Sequence, residues 1–187
     1  MSIFREPEII STQPLYQGRV FELHAEMARL PNGQESQMDL IRHPGAATIV
    51  PLTADGDVLL VRQYRHATRE WMLEVPAGTL APGESPEACA RREVAEEAGH
   101  EAAEMIPLGS IWTTPGFTDE RIWIFLARGL KPCAQNLDAD ESLVVERVSF
   151  REAVAMAERG DINDAKSICS LLRVRAALAE AQTPAGR

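Results

Sequence analysis

The chain is poor in several residue types that mark particular classes of protein. It has only three cysteines among 187 residues, and they are scattered without a metal-type spacing. This pattern predicts free thiols in a cytoplasmic protein rather than a disulfide framework. No apolar run approaches the ~20 residues that cross a bilayer. The first ten residues include the charged residues Arg5, Glu6 and Glu8, and no signal-type apolar segment follows them. The sequence therefore predicts no membrane partner.

Positive charge is also scarce. The chain has 19 basic and 28 acidic side chains, which gives a formal net charge of −9. An acidic surface repels phosphate backbones, so we expect no nucleic-acid partner. A small anionic substrate is still compatible with this charge, because a divalent metal can invert the local field.

The N-terminal part of the chain has the pattern of a small β structure. Residues 18–30 and 37–41 alternate in polarity, and the turn at 31–33 separates them, which predicts an antiparallel β hairpin. We assign this hairpin to an N-terminal region, 1–43, ahead of a domain at 44–187. Because a hairpin alone is marginal in water, we expect the N-terminal region to be buried in a dimer.

The remainder of the chain has strands interspersed with a few helices. We predict strands at 46–52, 58–61, 71–75, 122–127 and 143–149. We predict helices at 86–98, 150–159 and 163–181. This order favours an α/β fold with a mixed sheet and helices on its faces.

The first predicted helix has clear end signals and one acidic face. Ser85 is a favourable N-cap, and Gly99 suits the left-handed position that ends a helix. Glu93 and Glu97 are four residues apart and share a face, and Glu96 lies beside them. Clustered carboxylates of this kind suit Mg²⁺ or Mn²⁺. Two glutamates on a helix more often indicate a solvated acidic face than a metal site. The residues around the helix are therefore needed to choose between the two interpretations.

The sequence around the helix resembles the Nudix signature, G-x5-E-x7-R-E-U-x-E-E-x-G-U, in which U is a bulky aliphatic residue. The matching residues are Gly78, Glu84, Arg92, Glu93, Val94, Glu96, Glu97 and Gly99. Only the last position departs from the signature, since His100 replaces the aliphatic residue. At the chain's own residue frequencies, a chance match is expected in about one of 10⁵ chains.

The resemblance implies a Nudix α/β/α sandwich that hydrolyses a small-molecule substrate, a nucleoside diphosphate linked to another moiety. It implies Mg²⁺ as the cofactor, with Mn²⁺ as a possible substitute. The metal ligands that it implies are Glu93, Glu96, Glu97 and the carbonyl oxygen of Ala77. Arg92 resembles the arginine that orients these glutamates, with Glu84 as its partner, so we count Arg92 and Glu96 among the catalytic residues.

The segments that flank the signature resemble the ADP-ribose pyrophosphatase group. They are 63–65, 73–78, 115–120 and 160–166, and the resemblance covers about residues 43–175. It implies hydrolysis of ADP-ribose to AMP and ribose 5-phosphate by a homodimer. Two alternatives stay open: a hydrolase of another nucleoside diphosphate sugar such as GDP-mannose, and a non-catalytic Nudix ligand sensor.

Residues outside the signature supply the other candidate contacts. The candidate substrate-binding residues are Arg42, Arg65, Trp71, Pro115, Gly116 and Glu120. Arg65 suits a phosphate through its fork of donors but is otherwise a surface arginine. Trp71 is either a core residue or a platform for adenine, and Arg42 would reach the substrate across the dimer.

A general base is expected outside the signature helix. In the group, a glutamate of a loop in the region of 138–141 has this role, and Glu141 is the best positional match. Glu120 is the rival candidate.

Overall fold

The computed structural model describes residues 5–137 and 142–182 of the chain. In these residues it has ten strands: β1 (Glu8–Gln17), β2 (Glu22–Arg29), β3 (Glu35–Arg42), β4 (Ala46–Pro51), β5 (Asp57–Arg65), β6 (Glu70–Glu74), β7 (Ala77–Thr79), β8 (His100–Trp112), β9 (Arg121–Pro132) and β10 (Leu143–Ser149). The helices in this part of the chain are α1 (Pro86–Glu96), α2 (Phe150–Arg159) and α3 (Ala165–Gln182). None of the helices in the described residues is long and apolar enough to span a membrane.

The chain divides into two compact units. The first contains residues 1–45 and 112–121, and the second contains residues 46–111 and 122–187. The assignment of residues 1–43 to dimerisation stays a prediction.

The first unit is built on a three-stranded antiparallel sheet with the order β1-β2-β3. The predicted hairpin is present as β2 and β3, and Gly33 in the connecting turn has the positive φ of 85° that glycine tolerates best. The hairpin alone was an incomplete prediction, because β1 adds a third strand. All ten residues of β1 are exposed, so the strand has no buried face to produce an alternating pattern, and it contains Pro14.

The second unit contains two sheets. One has the order β7-β4-β9-β8, in which β4 is parallel to β9 and antiparallel to β7. The other has the order β10-β5-β6 and is antiparallel. The predicted mixed sheet is therefore confirmed.

Strand β4 shows how the second unit is layered. Its residues Ala47 and Ile49 belong to a buried cluster with Ala90 and Val94 of α1. Val50, with the opposite orientation, belongs to a separate buried cluster with residues of α2 and α3. Since successive side chains of a strand point to opposite faces, α1 covers one face and the other two helices cover the other. This arrangement confirms the α/β/α sandwich.

Most predicted elements of the second unit are present, with three differences. Helix α1 ends at Glu96 rather than at 98, because the left-handed Gly99, with φ of 64°, terminates it. Strands β7 and β8 were not predicted. β7 is only three residues long, and β8 contains small residues, Pro107 and Gly109, so neither gives a clear apolar period.

Candidate active site

Arg92 lies at the centre of the signature residues. Its Nε and Nη2 donate to the two carboxylate oxygens of Glu84, both at 3.0 Å. Its Nη1 donates to Glu96 at 3.0 Å and also to Glu93, while Nη2 reaches the carbonyl oxygen of Thr79 at 3.2 Å. One guanidinium thus fixes three carboxylates, and the predicted pairing of Arg92 with Glu84 is present.

Glu84 is held in its charged form by this contact. The hydrogen bonds from Arg92 lower the pKa of Glu84 from 4.5 to about 2, and the N–H of Ala81 adds a further hydrogen bond at 2.9 Å. Conversely, the hydrogen bond to Glu84 raises the pKa of Arg92. The signature loop is therefore locked to α1 by a permanent ion pair at neutral pH.

Gly78 lies against the Glu93 carboxylate. A Cβ at position 78 would come within 1.7 Å of the Oε1 atom of Glu93. Glu93 is itself buried. The glycine at the start of the signature is therefore a spatial requirement, since any side chain there would displace a candidate metal ligand.

Glu97 contacts the connection between β6 and β7. Its Oε2 accepts a hydrogen bond from the N–H of Ala77 at 3.0 Å, and its side chain is buried. The end of the signature helix is thereby fixed to the residue whose carbonyl oxygen is a predicted metal ligand.

The candidate metal ligands are chemically suited to a hard divalent cation. Carboxylates of Glu93, Glu96 and Glu97, with the Ala77 carbonyl, are all oxygen ligands of the kind that Mg²⁺ and Mn²⁺ prefer. Among the residues that the structure describes, no three acidic, histidine or cysteine side chains are already gathered as a metal cage. Arg92 and the Ala77 N–H hold the carboxylates instead.

Arg65 is engaged by a buried carboxylate. Its Nε and Nη2 donate to the two oxygens of Glu74 at 2.8 and 2.7 Å, so one edge of its fork is already used. Its pKa is raised, first by the hydrogen bond to Glu74 and further by Glu97 through space. A role in phosphate binding stays a prediction, and the ion pair of Arg65 with Glu74 was not predicted.

Trp71 is on the surface rather than in the core. Its side chain is 58% exposed, and its ring packs against Tyr64 with centroids 5.7 Å apart. The interpretation of Trp71 as a core residue is therefore wrong, because β6 begins at the exposed end of its hairpin with β5. An exposed aromatic pair is compatible with base stacking.

In the first unit, Arg42 is held by two carboxylates. It donates to Glu26 at 2.6 Å and to Asp119 at 3.1 Å, and Asp119 also accepts from the N–H of His43 at 2.8 Å. Arg42 and Asp119 help to line a pocket of about 330 Å³ together with residues 17–22. The pocket volume lies within the range of small-molecule sites.

The loop at 113–120 carries the other candidates of the first unit. Glu120 accepts a hydrogen bond from the Thr113 hydroxyl at 2.8 Å, and His43 Nε2 lies 3.8 Å from its other oxygen. Pro115 and Gly116 are in the turn between Thr113 and Glu120. The other candidate base, Glu141, lies outside the described residues.

Sequence reasoning missed a cluster of polar side chains behind the signature. Glu74 is fully buried and is bonded by Lys166, which is also bonded to Asp164. Buried Ser167 accepts a hydrogen bond from the N–H of Val75 at 2.9 Å. The available signal was Glu74 itself, a charged residue between two apolar residues, Leu73 and Val75.

Comparison with known proteins identifies the family. A family model described as the NUDIX domain matches residues 42–171. The ADP-ribose pyrophosphatase of Bacillus subtilis (strain 168) is 35% identical over 164 residues, which are 87% of this chain and 89% of that protein. The methanol dehydrogenase activator of Bacillus methanolicus is 37% identical over 168 residues, 89% of this chain and 91% of that protein.

A solved structure agrees on the fold. The crystal structure of an ADP compounds hydrolase superposes with a TM-score of 0.86 at 24% identity, covering 97% of this chain and 99% of that one. The family model covers well over half of the chain and includes every signature residue. The chain therefore belongs to the Nudix family and is a Nudix pyrophosphohydrolase.

Proposed function

We propose that this enzyme hydrolyses the pyrophosphate bond of ADP-ribose, giving AMP and ribose 5-phosphate, with Mg²⁺ as its cofactor. The observation that carries the proposal is the set of three carboxylates at the C-terminal end of α1: Arg92 bonds Glu93 and Glu96, and the Ala77 N–H bonds Glu97. The name of the Bacillus subtilis relative supports the choice of substrate. GDP-mannose and other nucleoside diphosphate sugars are the alternative substrates.

The metal would be held by Glu93, Glu96 and Glu97 and by the carbonyl oxygen of Ala77. A bound divalent cation offsets the charge of the pyrophosphate and lowers the pKa of the attacking water. Arg92 orients Glu93 and Glu96 by hydrogen bonds, and Gly78 leaves the space that the Glu93 carboxylate occupies. The chain thus prepares the negative ligand set before substrate arrives, which reduces the cost of reorganisation.

Glu141 is assigned as the general base that accepts the proton of the attacking water. Carboxylates that bind metal are poor bases, because the cation stabilises their ionised form. The segment before Glu141 supports this assignment, since Gln135 Nε2 donates to the carbonyl oxygen of Glu97 at 2.6 Å and Asn136 N to that of Glu96 at 3.2 Å. Asn136, which contacts the end of α1, is five residues before Glu141 in the sequence.

The remaining candidates are assigned to substrate binding. In the second unit, Arg65 contributes positive charge, and exposed Trp71 offers a face for the base. In the first unit, Arg42 lines the pocket next to residues 17–22, while Pro115 and Gly116 shape the 113–120 loop and Glu120 is its carboxylate. These assignments follow the resemblance to the ADP-ribose pyrophosphatase group.

The proposal includes a cytoplasmic homodimer. All three cysteines are unpaired, which fits a reducing compartment. Strand β1 is an edge strand that exposes Ile9, Ile10, Leu15 and Tyr16, and such an edge favours pairing with another chain.

A substrate panel tests the proposed reaction. With Mg²⁺ present, kcat/KM is measured for ADP-ribose, GDP-mannose, NADH, diadenosine polyphosphates and nucleoside triphosphates. ADP-ribose is expected to lead by at least about tenfold, equivalent to roughly 1.4 kcal/mol of discrimination in the transition state. If GDP-mannose or a triphosphate leads, the substrate assignment is wrong. An absence of metal-dependent turnover for every compound would instead favour a ligand sensor.

A further inference from the structure

Glu74 is a buried charge that the proposed reaction does not use. It is the last residue of β6, is 1% exposed, and lies between the buried side chains of Leu73 and Val75. Burial alone would raise its pKa, but hydrogen bonds from Arg65 and Lys166 outweigh burial and lower the pKa below 4.5. Glu74 is therefore ionised, and two cations compensate it inside the second unit.

Lys166 connects this buried charge to the start of α3. Its ammonium group bonds Glu74 and, at 2.8 Å, Asp164. Asp164 in turn accepts from both the N–H and the hydroxyl of Ser167, at 2.9 and 2.6 Å. The first turn of α3 is thus capped by the same carboxylate that holds Lys166.

The four residues 74–77 are each fastened by a different partner, and we name them the 74–77 connection. The N–H of Val75 donates to Ser167 Oγ at 2.9 Å, and the carbonyl oxygen of Pro76 accepts from the N–H of Ile49 at 2.9 Å. The N–H of Ala77 donates to Glu97 at 3.0 Å. The connection therefore bonds to α3 at one end and to the signature helix at the other.

We propose that Lys166 and Ser167 are positioning residues for the metal-binding carboxylates. They fix the 74–77 connection, and the connection sets the position of the Ala77 peptide that holds Glu97. This inference rests on the proposed metal-dependent hydrolysis, because Glu97 and the Ala77 carbonyl are its metal ligands. Residues that hold ligands in place influence metal affinity strongly even without touching the ion.

The chemistry of the two residues explains why the effect would be specific. Without Lys166, the carboxylates of Glu74 and Asp164 would lose the cation that bonds both of them, and their repulsion would move Glu74. Without the Ser167 hydroxyl, the buried N–H of Val75 would lose its acceptor. Both changes act on residues 74 and 75 of the 74–77 connection, whereas Glu97 bonds its residue 77.

The test is a titration of the full chain with Mn²⁺ alone, far below the melting temperature. Lys166→Met and Ser167→Ala are each expected to weaken Mn²⁺ binding by about tenfold. At saturating Mn²⁺, the KM for ADP-ribose should stay within about twofold of wild type. Ser167→Ala is nearly isosteric and keeps the inference testable if Lys166→Met does not fold.

Val154→Ala is the matched control. Val154 is a buried core residue of α2, so its truncation lowers the melting temperature without removing a hydrogen bond of the 74–77 connection. Its Mn²⁺ affinity should equal that of wild type. If Lys166→Met and Ser167→Ala bind Mn²⁺ no more weakly than Val154→Ala, the positioning role is wrong.

Glu97→Gln separates this inference from the proposed function. If Glu97→Gln weakens Mn²⁺ binding while both positioning variants match wild type, only the inference is overturned. If Glu97→Gln binds Mn²⁺ as tightly as wild type, the metal assignment fails and the positioning role fails with it.

Discussion

Arg92 and Glu84 form the ion pair on which the signature depends most. Arg92 bonds three carboxylates, but only its contact with Glu84 is bidentate. Glu84 lies in the loop just before the helix, eight residues before Arg92. The pair therefore closes the signature loop, while Arg92 makes one hydrogen bond each to Glu93 and Glu96.

The pH dependence of stability should report the Glu84 pair. The pKa of Glu84 falls from 4.5 to about 2 in the folded chain. The contribution of the ion pair to the free energy of unfolding is therefore fully present above about pH 5 and is lost as the pH falls from 4.5 towards 2. Urea unfolding should find wild type more stable than Glu84→Gln by about 1–2 kcal/mol at pH 7, since solvent screens a partly exposed partner. The difference should shrink by pH 3. A difference that is constant with pH would show that the ion pair does not contribute.

Glu97→Gln should abolish most catalysis and leave the fold intact. Glutamine keeps an oxygen to accept from the Ala77 N–H but removes the anionic ligand. We expect kcat to fall by roughly 10²-fold or more at saturating Mg²⁺. Glu87→Gln is the control, because Glu87 is exposed on the same helix and paired with Arg91, and it should retain activity within about twofold. Near-normal turnover of Glu97→Gln would refute the metal assignment.

Helix α1 is capped at both ends by residues of the second unit. Ser85 caps its first turn through the N–H of Ala88 at 3.2 Å. At its other end, Gln135 and Asn136 donate to the carbonyl oxygens of Glu97 and Glu96. Satisfying these carbonyl groups keeps the last turn in place, and the last turn carries two of the three candidate ligands.

The two candidate bases can be distinguished by matched variants. Glu141→Gln should lower kcat by roughly 10²–10⁴-fold, the usual contribution of general-base catalysis, with little change in KM or metal affinity. Glu120→Gln should have a much smaller effect on kcat, since Glu120 is bonded to Thr113 and adjoins His43. The opposite result would assign the base to Glu120 and make the acidic segment 138–141 a solvated surface.

In the described part of the chain, β1 is a long edge strand of the first unit and pairs only with β2. All of β1 is exposed, including the large apolar side chains of Ile9, Leu15 and Tyr16. Light scattering should therefore give about twice 20.6 kDa. The double variant Ile9→Asp/Leu15→Asp should shift the mass towards one chain, while Gln13→Glu on the same strand should not. A wild-type monomer at micromolar concentration would contradict the dimer and the role of Arg42 across it.

The sequence by itself was sufficient for the family, the signature helix and most of the second unit. These features depend on short-range patterns: caps at Ser85 and Gly99, the spacing of Glu93 and Glu97, and alternating or continuous apolar runs in the strands. Strand β1 escaped prediction because its residues have no buried face. Trp71 was ambiguous because an aromatic residue has the same local pattern in a core and on a surface.

Tertiary structure alone decided which distant residues meet. Lys166 and Glu74 are 92 residues apart, and no local pattern relates them. The close approach of Gly78 to Glu93, and the capture of Arg65 by a buried carboxylate, likewise depend on packing between elements. Burial makes such contacts obligatory, because an unpaired charge inside the protein is far more costly than one in water. The physical reason is the low polarity of the interior, which only the folded chain creates.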